Sequence, residues 1–368
     1  MGVVFWLSAG LIVYVYAGYP VLLAVWARAV ATMRRRDRAD GSPGSAGALR
    51  ESPLPPVTVI IAARNEGRRL PARIENLLAS DYPKDRMQIV VASDGSTDNT
   101  LDALEPYASS VELIMLPHGG KARALNAAVA RACNPILVFA DARQRFAPDT
   151  IRRLVRHFDR LSVGAVSGEL VLDCEQGGSA STVADGVGAY WKYEKWLRRR
   201  EAIVGSTLGV TGAVYAMRRV LWEPLPPDTI LDDVLGPMRI VLRRYRVLFD
   251  ATALAFDEAA KHVAAETQRK VRTLAGNFQL LLLEPRLLVP GLNPVWLQFM
   301  SHKVGRLAVP YALITLFVSS AWLAASSWLY TAALSAQLAF YGLAVYGAVL
   351  DHRRRGTAPL AEVMREAA

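Results

Sequence analysis

Charged side chains are absent from two long stretches of the chain, Met1 to Ala27 and Leu307 to Leu350. One bilayer-spanning helix takes roughly 20 apolar residues, so the first stretch predicts one span and the second predicts two joined by a tight turn. Ser326 to Thr331 suits that turn, because its Ser, Trp and Tyr favour a membrane interface. Between the two stretches the pattern changes. Short β-branched runs at 57–62, 88–92, 111–116, 136–140 and 164–172 alternate with segments of helical period at 69–80, 100–109, 121–132 and 149–159. This alternation predicts an α/β domain in which a mostly parallel sheet is covered by helices on both faces.

The segmentation follows: a transmembrane anchor over 1–31, a basic and Gly-Ser-Pro linker over 32–54, a globular domain over 55–275, interfacial helices over 276–306, two spans over 307–350 and a tail over 351–368. Leucine and proline mix between Gln279 and Gln298 in a pattern too broken for a span and too apolar for a surface loop, which suits helices lying in the interface. Arg34, Arg35, Arg36 and Arg38 follow the first span, Lys303 and Arg306 precede the second, and Arg353 to Arg355 follow the third. The bias of basic residues toward the cytoplasm then puts the domain and tail inside, as a multi-pass protein of the plasma (inner) membrane. The first segment lacks a basic n-region and a small-residue cleavage site, so it reads as an uncleaved anchor.

Composition adds two points. The chain has 368 residues, 52% hydrophobic, with a net charge of +10, and much of the positive excess lies beside the spans, where anionic lipid headgroups account for it and no nucleic-acid motif accompanies it. The two cysteines, Cys133 and Cys174, have no metal-ligand spacing and read as buried free thiols in a reducing compartment.

In sheets of this class ligands bind beyond the carboxyl ends of the strands, and the chemistry-bearing residues cluster there. Ala63-Arg64-Asn65-Glu66 follows the first strand and Asp94-Gly95-Ser96-Thr97-Asp98 the second. Asp94 can accept hydrogen bonds from a nucleobase or ribose, whereas Asp98 is equally good turn and helix-cap chemistry. Gly119-Gly120-Lys121 opens a helix, a setting that attracts phosphate, and Asp141, after the fourth strand, can hold a divalent cation that bridges a diphosphate. Asp232 and Asp233 stand side by side in the apolar run from Ile230 to Val234. They are a candidate catalytic pair, or simply the acidic start of a helix. The Gly-interrupted run from Ser206 to Tyr215 suits either close backbone approach to an acceptor or a buried strand with a bulge. Trp191, Tyr193 and Trp196 suit a core more than a sugar platform, and His302 suits an interfacial hydrogen bond more than catalysis.

Taken in order, these motifs resemble the family 2 inverting glycosyltransferases, the membrane-bound group that includes cellulose, hyaluronan and chitin synthases. The resemblance covers about residues 55 to 310 and rests on Val57–Glu66, Asp94–Asp98, Gly120-Lys121 with Ala124-Leu125-Asn126, Asp141, Gly209–Arg219, Leu231-Asp232-Asp233, and Arg269–Thr273. It implies a GT-A-like fold and a nucleotide-sugar donor, in the first instance a UDP-sugar. Donor-binding residues would be Ala63, Asn65, Glu66, Asp94, Gly120, Lys121, Asn126, Asp141, Arg143, Arg269 and Arg272. Gly209, Thr211 and Gly212 would face a saccharide or lipid-linked acceptor, with Asp233 as general base, Asp232 beside it, and Asp141 on a Mg or Mn ion. Membrane lipids, a second copy of the chain or export proteins would be its partners. Two positions depart from the family pattern. Arg143 stands where the second carboxylate of the DxD motif belongs, and Arg269 and Thr273 replace the Gln and Trp of the QxxRW motif. The first weakens the case for the metal, and the second removes an aromatic that stacks on sugar in processive enzymes. A nucleotide-binding membrane scaffold that has lost catalysis is therefore the alternative. A dinucleotide oxidoreductase is disfavoured, because no GxGxxG follows the first strand.

Overall fold

The computed structural model describes residues 1–40, 54–173, 182–258 and 263–356, with side chains over 1–34, 54–171, 192–257, 270–347 and 349–350. Most of the linker, Cys174, the side chains of Trp191 and Arg269, and the end of the tail fall outside those residues. The chain forms two compact units, one of Pro20–Lys303 and one of Met1–Tyr19 with Val304–Ala368.

The elements run α1 (Gly2–Val13), α2 (Tyr19–Asp40), β1 (Val57–Ala63), α3 (Leu70–Leu78), β2 (Met87–Asp94), α4 (Thr100–Leu104), β3 (Glu112–Leu116), α5 (Lys121–Arg131), β4 (Ile136–Ala140), β5 (Arg145–Phe146), α6 (Thr150–Val155), β6 (Val163–Asp173), α7 (Thr182–Val204), β7 (Val214–Arg218), α8 (Asp232–Leu242), β8 (Arg246–Glu258), α9 (Val263–Leu283), α10 (Trp296–Gln298), α11 (Gly305–Leu323) and α12 (Trp328–Gly356).

The larger unit is built on one eight-stranded sheet of order β3-β2-β1-β4-β7-β6-β8-β5. The pairs β3·β2, β2·β1, β1·β4 and β6·β8 are parallel, while β4·β7, β7·β6 and β8·β5 are antiparallel. The expected parallel sheet is thus the first half of a mixed one, because the strands laid down after Asp141 include β7 and β5, which run against their neighbours. β1 shows why the first half was readable: Val57, Val59, Ile60 and Ile61 have no exposed surface, as in a strand covered on both faces. Helix α3 turns Leu70, Ile74 and Leu77 inward at helical spacing. The run from Ser206 to Tyr215 divides: it stays irregular as far as Ala213 and enters β7 at Val214.

Among the described residues, three helices are long and apolar enough to cross a membrane: Gly2–Arg34, Trp296–Ser326 and Trp328–Gly347. Helix α11 gives way to a short 3-10 turn at Ala324–Ser326, and α12 begins at Trp328, so the break between the two helices falls earlier than the expected 326–331. The second of these helices begins at Trp296, so the last part of the segment read as interfacial is continuous with it. Inside the smaller unit, Ser8 and Thr315 share a hydroxyl hydrogen bond of 2.7 Å, and Gln337 Nε2 donates to Ser320 Oγ at 3.3 Å. Polar side chains of this sort hold apolar helices together where no hydrophobic contrast with lipid exists.

Candidate active site

Strands β2 and β1 end together, Ala63 pairing with Ser93, and β4 ends slightly earlier, Ala140 pairing with Ile61. Asp94 and Asp141 thereby sit at the carboxyl edge of the sheet. Gly95 follows in the left-handed region at φ 63°, and a Cβ there would lie 2.6 Å from the His118 amide, so only glycine lets the two loops meet. Across that contact Asp94 accepts hydrogen bonds from Gly119 N at 2.7 Å, Gly120 N at 3.0 Å and His118 Nδ1 at 3.0 Å. Burial opposes its charge, yet these donors hold its carboxyl below the ordinary range. Asp94 therefore anchors the loop that opens α5 and presents Lys121. Asp98 proves to be turn chemistry, accepting from Gly67 N and Thr100 N at 3.1 Å each.

Lys121 is the centre of the cleft. Its ammonium lies 3.3 Å from Asp232 Oδ2 and 3.6 Å from Asp141 Oδ1. Gly212 and Tyr215 close the wall, and Tyr215 stacks on Phe139 at 4.4 Å. Asp232 and Asp233 occupy the first turn of α8, so the acidic helix start and the acidic site are one feature. Burial, and after it the charge of Asp232, raise Asp233 to about 6 against the opposing pull of Lys121, Lys303 and Arg198. The Gly209–Gly212 segment lies along this turn: Val210 N donates to Asp233 O at 2.9 Å, and a Cβ on Gly212 would come within 3.3 Å of Asp233 Cβ. Thr211 is held by Ser167, whose Oγ accepts its N–H at 2.8 Å, and by Arg198, whose Nη1 donates to Thr211 Oγ1 at 2.8 Å.

Other expected donor residues do structural work here. Asn126 exchanges hydrogen bonds of 2.9 Å with both backbone atoms of Leu225, so its amide is spent on the loop leading to Asp232. Asn65, at φ 54°, accepts from Thr97 N at 2.8 Å, and Glu66 pairs with Arg69 at 2.8 Å. Ala63 is buried at the end of β1. Arg143 turns to the buried Asp257, with Nη2 2.6 Å from Oδ2, and Gln144 donates to the same oxygen at 2.9 Å. Arg272 is exposed, its Nη2 3.5 Å from the Ile230 carbonyl. His302 is buried rather than interfacial in character, 2.6 Å from Glu201 and 3.4 Å from Glu194. Cys133 is exposed, against the expectation of a buried thiol, because it sits past the end of α5 in the loop to β4. Trp196 stacks near-parallel with Tyr193 at 6.4 Å and carries Arg200 at 3.8 Å on its face.

Residues that the motifs did not reveal are Arg198, Lys303, Asp257 and Gln279. Gln279 lies on α9 and receives Ile230 N at 2.9 Å while donating to Asp228 O at 2.9 Å. None has a local signature, since each acts through a loop distant in sequence. As to a metal, no group of three or more His, Cys, Asp or Glu is gathered among the described residues. Asp141, partly exposed beside Lys121, fits a cation whose remaining ligands are diphosphate oxygens and water, the usual arrangement for magnesium at phosphate sites.

Comparison with known proteins agrees with this geometry. Residues 58–223 match the model of glycosyl transferase family 2. Over 239 residues the chain is 25% identical to a beta-monoglucosyldiacylglycerol synthase of Synechocystis sp., covering 62% of this chain and 49% of that protein. Over 238 residues it is 22% identical to a poly-beta-1,6-N-acetyl-D-glucosamine synthase of Staphylococcus aureus, covering 61% and 55%. The chain thus spans about half the length of the curated relatives it matches. A mannosyltransferase from Pyrobaculum calidifontis, solved in complex with GDP-Man and Mn2+, superposes with a TM-score of 0.66 at 24% identity over 92% of each chain, an agreement of fold.

Proposed function

Since the chain carries a family 2 glycosyltransferase domain, we propose that it moves one sugar from a nucleoside diphosphate sugar to a hydroxyl of a saccharide or lipid-linked acceptor, with inversion, at the cytoplasmic face of the inner membrane. The observation that carries this reading is the convergence of Asp141 and Asp232 on one ammonium, Lys121, in a cleft at the strand ends, with Asp233 beside Asp232 in the first turn of α8.

In this mechanism Asp233 takes the proton from the acceptor hydroxyl as that oxygen attacks the anomeric carbon, and the bond to the diphosphate breaks in the same displacement. Its pKa near 6 leaves it ionised at neutral pH while keeping it basic enough to accept a proton. Lys121 sits between base and diphosphate. It offsets the charge of Asp232, and it meets the negative charge that develops on the leaving group. A divalent cation at Asp141 would supply further positive charge to the diphosphate. The absence of a side chain at Gly212 lets the Gly209–Gly212 backbone lie against Asp233, where the acceptor would approach. The names of the two curated relatives, a glucosyldiacylglycerol synthase and a poly-N-acetylglucosamine synthase, support an acceptor that is a lipid or a growing glycan. Helix α9 supports placement against a bilayer: Val271, Leu274, Phe278 and Leu282 are exposed at helical spacing on an apolar stripe. The scaffold alternative rested on Arg143. Its ion pair with Asp257 gives that arginine an occupation away from the Lys121 cleft.

The test is release of nucleoside diphosphate by the detergent-purified protein from a panel of UDP-glucose, UDP-N-acetylglucosamine and GDP-mannose, with and without Mn2+. Wild type turns over at least one donor, and Asp233→Asn loses turnover while still binding the nucleotide. Equal turnover in that variant removes Asp233 as base, and binding without release from any donor by wild type favours the scaffold.

A further inference from the structure

Arg73 occupies a core position of α3, between Leu70 and Ile74 on its inward face, and is 2% exposed. A guanidinium there is costly, because a buried cation loses its hydration and needs partners for five donors. Arg73 has few. Nη1 donates to Asn76 Oδ1 at 2.7 Å, the guanidinium carbon lies 3.9 Å above the Phe146 ring, and Nε and Nη2 are buried with no hydrogen-bond acceptor among the described residues. Asn76 in turn clamps the same aromatic residue, accepting Phe146 N at 2.8 Å and donating to Phe146 O at 3.0 Å. Phe146 closes the short segment that begins at Asp141. The carboxylate whose charge bears on Arg73 is Asp141, and with burial lowering its pKa only to about 9 the guanidinium stays charged at neutral pH.

A buried cation with two free donors at an apolar helix position is a liability for stability, and an aliphatic side chain would pack there without that cost. What it supplies is a fixed positive charge that Asp141 feels, seated against the Asn76–Phe146 clamp, while Lys121 lies 3.6 Å from the same carboxylate. We propose that Arg73 is a positioning residue of the donor site: clamped with Asn76 on Phe146, it holds the Asp141–Phe146 segment and thereby the strand-end carboxylate Asp141 beside Lys121, where the donor diphosphate would lie. The inference rests on the glycosyltransferase reading of that cleft and extends it to a residue outside the family motifs.

The experiment uses the full chain in detergent, wild type against R73M and R73K, with thermal unfolding measured beside calorimetric binding of UDP and GDP and the donor KM and kcat. R73M should unfold at or above the wild-type temperature, because an under-paired charge has been removed, while its affinity for nucleoside diphosphate falls at least tenfold and donor KM rises more than kcat falls. R73K, which keeps the charge and loses the planar fork, should recover part of that affinity. Unchanged affinity in R73M overturns the proposal, as does a loss in both variants that merely follows a lower unfolding temperature. If R73M does not fold, R73K decides: wild-type affinity refutes the role, and weaker binding at wild-type unfolding temperature supports it. Failure of wild type to bind either nucleotide would refute the glycosyltransferase reading itself, a result distinct from equal binding by wild type and variant.

Discussion

Asp233 is pulled in opposite directions. Its place in the first turn of α8 and the cations Lys121, Lys303 and Arg198 favour the anion, the helix end by about 0.3–1 kcal/mol. Burial and the adjacent Asp232 win, raising it from an ordinary 3.8 to about 6, which corresponds to roughly 3 kcal/mol against ionisation in the folded chain. As the base must be ionised, kcat/KM should rise about tenfold from pH 5 to pH 7 and level off, the flank reporting the Asp233 pKa. A flat profile over that range would remove it as base. For stability the sign reverses. Between about pH 4 and pH 6 the folded chain keeps a proton that the unfolded chain has released, so this group's contribution falls as pH rises through that window and stays lost above it. Asp233→Asn should therefore unfold later than wild type at pH 7.5, by about 1–3 kcal/mol, and gain nothing at pH 4. Equal unfolding of the two proteins at pH 7.5 would show that Asp233 carries no such burden.

At the scale of elements, the site is an ordinary sheet edge until two amides on separate helices bring in the α8 turn. Asn126 on α5 fixes Leu225, and Gln279 on α9 spans Asp228 and Ile230, so the chain arrives at Asp232 already held on both sides. Gln279→Ala leaves the sheet intact and frees that approach. Turnover should drop about tenfold or more, since small misplacement of a reacting group costs that much, with donor KM within about twofold of wild type. A parallel rise in KM would show that the clamp serves the donor pocket instead. These clamps also explain what the sequence could and could not convey. Strands β1, β2 and β4 announced themselves as β-branched runs, and the carboxylates at their ends followed from the sheet class. Strand β7 was masked by the glycines before it, and β8, with Arg, Asp and Thr among its apolar positions, lacks both a clean alternation and a continuous apolar run. Arg73 had a weak signal, a charge at an inward position of a regular amphipathic helix, and Asn126 matched a donor motif that its hydrogen bonds redirect to Leu225. Partnership across long sequence separations leaves no local trace.

For the whole molecule, the proposed orientation depends on charge. The larger unit is joined to helices long and apolar enough to cross a membrane, and Arg34 at one junction, with Lys303 and Arg306 at the other, predicts that this unit faces the cytoplasm. Cys133 offers a direct probe, because it is exposed, lies within that unit, and shares the chain with only one other thiol, Cys174. In the Cys174→Ser chain expressed in a bacterial inner membrane, a membrane-impermeant maleimide should leave intact spheroplasts unlabelled and label Cys133 once they are permeabilised. Its Sγ lies 3.1 Å from Gln88 Oε1, so labelling is slower than for a free thiol but not blocked. Labelling of intact spheroplasts would place the cleft outside, where nucleotide sugars are not supplied, and the orientation and the donor assignment would then fall together. Protection in intact spheroplasts leaves the reverse dependence to be read from the basic clusters. Replacing Lys303 and Arg306 with Gln should lower the fraction of protected Cys133, because removing positive charge at a span junction weakens the bias that retains it on the cytoplasmic side. A protected fraction unchanged in that variant would assign orientation to the first span and its arginines alone.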